Sequence, residues 1–164
     1  VLCGLLLAAA DASQIRRKIT PITGFYTDHG GTWRWTVTVD KRVDLDWPHL
    51  QAHIYLDTVS GDVEAFFVSL EYNLQSAYMR HDNWCEIARF DHNPSSPTGH
   101  DITQEGLHLD ILNKDGSKHR VKEGFHSMPA NQAPAYCRNY FGRRGEAIAT
   151  HFEKRHNING HYRS

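Results

Sequence analysis

The chain has three cysteines in 164 residues, Cys3, Cys85 and Cys137, and no Cys-x-x-Cys spacing. That argues against a zinc knuckle, and an odd, scattered set does not build a disulfide framework. Long apolar runs are missing too. The one candidate, Val1 to Ala10, is too short to span a bilayer, so no membrane association is expected. There is no Gly-x-Ser-x-Gly nucleophile elbow, and Gly30-Gly31 and Gly142–Gly145 lack the strand-to-helix setting of a phosphate cradle. An excess of one charge is absent as well. With a net charge of -1 the chain as a whole is no obvious polyanion binder.

That near-neutral total conceals a division. Residues 1–115 hold 9 Lys/Arg against 16 Asp/Glu, and residues 116–164 hold 9 against 3. Such a split has two readings: a basic face for nucleic acid, or two halves that attract each other on folding. The start of the chain, with Ala10-Asp11-Ala12 after the apolar run, is similar to the end of an export signal. Residues 1–18 are therefore set apart as an apolar segment, and residues 19–164 are read as one domain. The cysteines favour a reducing cytoplasm, with export the alternative if residues 1–12 are the remnant of a signal.

Within residues 19–164 the patterns are mostly those of strands. Trp33, Trp35, Val37 and Val39 alternate with Arg34, Thr36 and Thr38, the period of two that a half-buried strand needs. Trp33 and Trp35 are read as core, Trp47 and Trp84 as braces for loops. Asp28–Gly31 reads as a turn, with Thr20–Tyr26 before it as a partner strand. Asp44–His49, with Pro48, reads as a loop. Strands are expected at Gln51–Thr58, Val63–Leu74, Ala77–Arg80 and Trp84–Asp91, with Glu86, Ala88 and Phe90 facing away from Cys85, Ile87 and Arg89. His92–Glu105 reads as a loop and Gly106–Leu112 as a strand. Asn113–Gly116 closes a hairpin by Asp-Gly turn chemistry onto Ser117–Val121. Pro134 suits a first helical turn, and Phe141, Gly145, Ile148 and Phe152 then recur at 4-3-4 spacing until Asn157 and Gly160. The fold class expected is α+β: a single domain with a mostly antiparallel, curved β-sheet packed against a C-terminal helix.

Twelve scattered histidines are the compositional oddity. Histidine is the side chain that changes charge near neutrality and the commonest metal ligand. The densest chemistry falls at Arg89-Phe-Asp-His-Asn93, the following loop with His100, and Leu107-His-Leu-Asp110. Arg89 and Asp91 leave one face of their strand, and His108 and Asp110 leave one face of theirs. If the strands pair across the loop, both couples stand at its base, with His92 and His100 close by. A carboxylate beside an imidazole poises a general base or acid near neutral pH, and an arginine can hold a phosphate. The bland alternative is an Arg89–Asp91 ion pair with the histidines on a solvated face.

The run Tyr78-Met-Arg-His81, Trp84 to Asn93, the Pro/His loop and Leu107-His-Leu-Asp110 resembles the small TumE-type toxins of prokaryotic toxin–antitoxin pairs, over roughly residues 63–112. It departs from their pattern at His92, which separates Asp91 from Asn93. What the resemblance implies is growth inhibition through RNA or nucleotides, neutralised by an antitoxin-like protein partner. The expectation is then a metal-independent ribonuclease with His108 as acid/base, Asp110 and Asp91 orienting, and Arg89 on phosphate. His92 and His100 would bind substrate, as would the helix stripe Arg144, His151 and Arg155, which could follow a phosphate backbone. No cofactor is required by this reading. A second reading takes His108-x-Asp110 and a later histidine (His119, His126 or His151) as a two-histidine, one-carboxylate site for a divalent metal. A third makes the chain a non-catalytic module that docks nucleic acid or a protein.

Overall fold

A computed structural model of the protein describes residues 22–27, 33–74 and 83–163. Among the described residues seven strands follow chain order across one open sheet: β1 (Ile22–Thr27), β2 (Trp33–Asp46), β3 (Leu50–Val59), β4 (Asp62–Asn73), β5 (Trp84–His92), β6 (Leu109–Leu112) and β7 (Lys118–Lys122). Every neighbouring pair is antiparallel. A single helical turn, α1 (Ile102–Glu105), precedes β6, and α2 (Ala133–His156) follows β7 and packs on β2 to β5. The α+β, antiparallel architecture read from the sequence is the one observed. The strand and turn expected at Ala77–Arg80 and Asp28–Gly31 lie outside the described residues, as do residues 1–18.

The period of two divides the sheet into two faces. Phe66, Val68, Leu70 and Tyr72 of β4, with Ala88 and Phe90 of β5, are buried under α2. From the helix, Cys137, Phe141, Gly145, Ala149 and Phe152 bury themselves against them. The steps of four put Ala149 rather than the half-buried Ile148 at the centre of this stripe. Gly145 packs directly on the sheet, where a Cβ would meet Leu70 Cδ1 at 3.5 Å. Pro134 sits in the first turn, and Asn157 ends the helix in the left-handed region with its N–H on the Glu153 and Lys154 carbonyls.

Beyond Asn157 the chain folds back and is tied by a buried glutamate. Glu153 is 0% exposed and accepts hydrogen bonds from the Tyr72 hydroxyl (2.6 Å) and the Tyr162 N–H (3.1 Å). Tyr162 in turn donates its hydroxyl to Asp46. Trp47 and Trp84 lean on each other at 6.1 Å, bracing the β2–β3 turn as expected.

Four details depart from the sequence reading. Asp44 to Asp46 belong to β2, with a bulge between them, because Pro48 occupies only the turn that His49 N–H closes on Asp46 O. In β5, Ile87 is an extra residue: Leu70 pairs with Ala88 but Glu71 pairs with Glu86. That bulge brings Glu86 and Arg89 to the same side, within 3.4 Å of one another, against simple alternation. Ile102–Glu105 is helical because Asp101 caps it, accepting from Thr103 N–H. Finally, Gly106, Leu107 and His108 stand before β6 rather than in it, since Gly106 takes a φ of 81°.

The face away from α2 carries a polar network. His53 reaches Asp40 at 2.7 Å and Glu71 at 3.3 Å, and Arg42 and Gln51 also hold Glu71. The hydrogen bond to Glu71 raises the His53 pKa above its ordinary 6.5, over the opposing effect of burial. A raised folded-state pKa means that protonated His53 stabilises fully below 6.5 and that this stabilisation fades as pH rises through the folded value. The melting-temperature difference between wild type and His53→Ala is therefore expected to be largest below pH 6.5 and to shrink above it. A difference that grows with pH contradicts this assignment.

Candidate functional site

Asp91 leaves the end of β5 on the face away from α2, where its Cα partner is Phe67 of β4. Asp110 leaves the same face of β6, because it pairs with Arg89, two residues before Asp91. The loop after β5 then returns over this strand end. Asn93 N–H donates to His100 O at 2.8 Å, and the tight turn between them requires glycine, since a Cβ on Gly99 would lie 1.9 Å from Asn93 O. His100 thereby lands edge-on against His108, with ring centroids 4.5 Å apart.

Four side chains converge as a result. One donor atom each from Asp91, His100, His108 and Asp110 lies within 4.8 Å of all the others. Donors sharing one tetrahedral divalent ion stand roughly 3.5 Å apart, so closing onto an ion takes side-chain shifts of only about 1 Å. Each ring also has a contact at Nδ1. His100 Nδ1 is 3.0 Å from Glu105 Oε2, and His108 Nδ1 is 3.4 Å from the Gly106 carbonyl oxygen. With the proton on Nδ1 shared with an acceptor, Nε2 carries the free lone pair, the arrangement metal-ligating histidines use.

Asp110 points to the same use. It is 6% exposed, and Lys118 Nζ holds its Oδ2 at 2.6 Å. Its Oδ1 is buried and has no hydrogen-bond partner among the described residues. A buried carboxylate oxygen left unpaired costs about 1–3 kcal/mol or more, so it calls for a cation. The two histidines of the cluster line a cleft of about 430 Å³, together with Glu105, Lys118, Val121 and Phe125. That volume lies within the roughly 300–1,000 Å³ of small-ligand pockets.

A family profile described as a domain of unknown function, DUF7718, matches residues 27–158. The chain belongs to the DUF7718 family. The match runs from the end of β1 to just past α2, so it takes in the cluster, the cleft and the helix stripe. No curated protein and no solved structure matches the chain.

Within this DUF7718 domain the sequence-nominated residues divide. Asp91, His100, His108 and Asp110 come together. Arg89 shares their face but lies over the Phe67 ring, 4.8 Å from its centroid, with Nε 3.4 Å from Glu86. It neither pairs with Asp91 nor enters the cluster. His92 is 3% exposed and inward: its Nδ1 accepts from Ile102 N–H at 3.3 Å, so it anchors the loop instead of facing a substrate. Arg144, His151 and Arg155 are on α2, on the opposite face of the sheet from the cluster. The second histidine of the metal-like set is His100, upstream of His108, in place of the later His119, His126 or His151.

Two participants had not been read from the sequence, Glu105 and Lys118. Glu105 is five residues from His100, and only the turn of α1 brings it back. Lys118 follows an Asp-Gly turn in an exposed strand, where lysine is ordinary.

Proposed function

We propose that this DUF7718 domain is a divalent-metal-dependent hydrolase whose ion is held by Asp91, His100, His108 and Asp110. The observation that carries the reading is the convergence of two imidazoles and two carboxylates around the unpaired Asp110 Oδ1. Mixed nitrogen and oxygen donors suit Zn²⁺, Mn²⁺ or Fe²⁺ better than Mg²⁺ or Ca²⁺. An ion at this position would supply two things to the cleft: a Lewis acid for a substrate oxygen, and a bound water whose pKa is lowered to near neutrality. Glu105 fixes the His100 ring. Lys118, at the cleft wall, holds Asp110 Oδ2 and would leave Oδ1 for the ion, its positive charge also favouring an anionic substrate in the cleft.

The metal-free alternative asks for Arg89 on phosphate, and the position of Arg89 over the Phe67 ring, beside Glu86, favours the metal. Hydrolysis of an RNA phosphodiester under an antitoxin-like partner, the role implied by the TumE-like motifs, is one reaction of the proposed class. Free Cys85 and buried, free Cys137 fit a reducing cytoplasm. Among the described residues no helix is long and apolar enough to cross a membrane.

The test is metal binding by calorimetry, followed by turnover of bis(4-nitrophenyl) phosphate with and without chelator. Wild type is expected to bind about one equivalent of Zn²⁺ or Mn²⁺. Glu105→Gln is expected to weaken binding about 10- to 100-fold. His100→Ala and His108→Ala should weaken it further and abolish turnover. Wild type that takes up no metal, or histidine variants that bind as well as wild type, would refute the centre; turnover unchanged by chelator would refute its use in hydrolysis.

A further inference from the structure

The charge division in the sequence is not consumed inside the fold. Of the nine Lys/Arg in residues 116–164, only Lys118 lies within ion-pair distance of a carboxylate among the described residues. The acidic first half pairs largely with itself, as in Arg42–Glu71, Arg89–Glu86 and His100–Glu105. Mutual attraction of the two halves therefore does not account for the basic one.

Three of its uncompensated cations, Arg120, Lys122 and Arg155, are gathered where the β6–β7 hairpin meets α2, and Arg144 stands on the same side of the helix. Lys122 Nζ hydrogen-bonds the Tyr140 hydroxyl at 2.9 Å and lies over the Tyr140 and Phe125 rings. Arg155 Nη2 donates to Leu112 O at 2.7 Å, which brings its guanidinium to the end of the β6–β7 hairpin. There Arg120, whose Cα partner is Ile111, is near enough to repel it. Along the helix, Arg144 is one turn after Tyr140 and His151 is one turn before Arg155, all on one side. The exposed acid on α2, Glu146, lies on the other flank, towards Tyr162. Two like-charged guanidiniums held together without a carboxylate raise the free energy of the fold unless an external anion answers them.

We infer that Arg120, Lys122, Arg144 and Arg155 form a plate that binds the phosphate backbone of single-stranded nucleic acid. The plate is on the opposite side of the sheet from the metal cluster and does not depend on it. Spaced cations bordered by aromatic rings match a chain of phosphates, where a single small anion would need only one of them.

The experiment is fluorescence anisotropy of the whole chain with a labelled single-stranded RNA of about 20 nucleotides, in EDTA so that the metal site plays no part. Four phosphate contacts predict that affinity falls roughly 50-fold between about 50 and 200 mM salt, from a slope of about -0.7 per contact. Arg120→Glu with Arg144→Glu alters two exposed side chains that make no ion pair among the described residues, and is expected to lower affinity at least about tenfold at unchanged melting temperature. Absence of binding at low salt, or wild-type affinity in the double variant, overturns the inference. Equal competition by polyglutamate also overturns it, because the plate would then be reading charge without the phosphate chain. Binding that survives in His108→Ala, with turnover lost, separates this plate from the metal centre.

Discussion

Zn²⁺ or Mn²⁺ at about a hundred times its dissociation constant is expected to raise the melting temperature by roughly 5–10 °C. The magnitude follows from linkage: a ligand at that excess adds about 2.7 kcal/mol to the folded state, and a domain of this size gains about 2–4 °C per kcal/mol. His108→Ala should show almost none of the rise. The sharper signature comes from Asp110. In chelator, Asp110→Asn is expected to leave the melting temperature unchanged or raise it, since it neutralises a buried carboxyl group whose Oδ1 has no partner and whose Oδ2 has only the half-exposed Lys118. In saturating metal the same variant should melt below wild type. A reversal of sign on adding metal is what a residue kept for a ligand shows. A purely structural Asp110 would lose stability on substitution in both conditions, and that result would remove the metal reading.

The largest stability loss outside the site is expected at Glu153. Glu153→Ala leaves the Tyr72 hydroxyl and the Tyr162 N–H without an acceptor in a region where Tyr72 is 2% exposed. Two orphaned donors and a buried void together cost about 3 kcal/mol or more, which lowers the melting temperature by roughly 6–12 °C. The tail is affected as well, because Gly160 passes so close that a Cβ there would sit 2.2 Å from Glu153 Oε1. Losing the carboxyl group therefore releases residues 158–163 from the sheet, and limited proteolysis should cut there first. A calorimetric loss below about 1 kcal/mol would show that water replaces the carboxyl group without difficulty.

What could be read from the sequence follows from how local each signal is. Alternation over Phe66 to Tyr72, the Asp-Gly turn before β7, and Pro134 and Asn157 at the ends of α2 are decided by near neighbours in the chain, so they were legible. The bulge at Ile87 was not, because one inserted residue reverses every later face without altering composition. The candidate site divides in the same way. His108 and Asp110 share a face by simple alternation, and Asp91 joins them by strand pairing. His100 joins only through the turn at Gly99, and Glu105 only through α1. Glu153, between Phe152 and Lys154, looks like any solvated helix glutamate until Tyr162 folds back over it. The two charge readings of residues 116–164 could not be separated before the ion pairs were known.

The ladder between β5 and β6 has only two paired positions, Ala88 with Ile111 and Arg89 with Asp110. The β6–β7 hairpin is thus joined to the rest of the sheet by a short seam, with Gly106 as a pivot at one end. Asp91 lies on one side of that seam and His108 and Asp110 on the other. An ion held among them, as proposed above, would act as a rivet across the seam, doing the work of the missing rungs. Amide exchange in Leu109–Leu112 would then report how firmly the hairpin is shut, with the strongest protection expected in the metal-loaded protein.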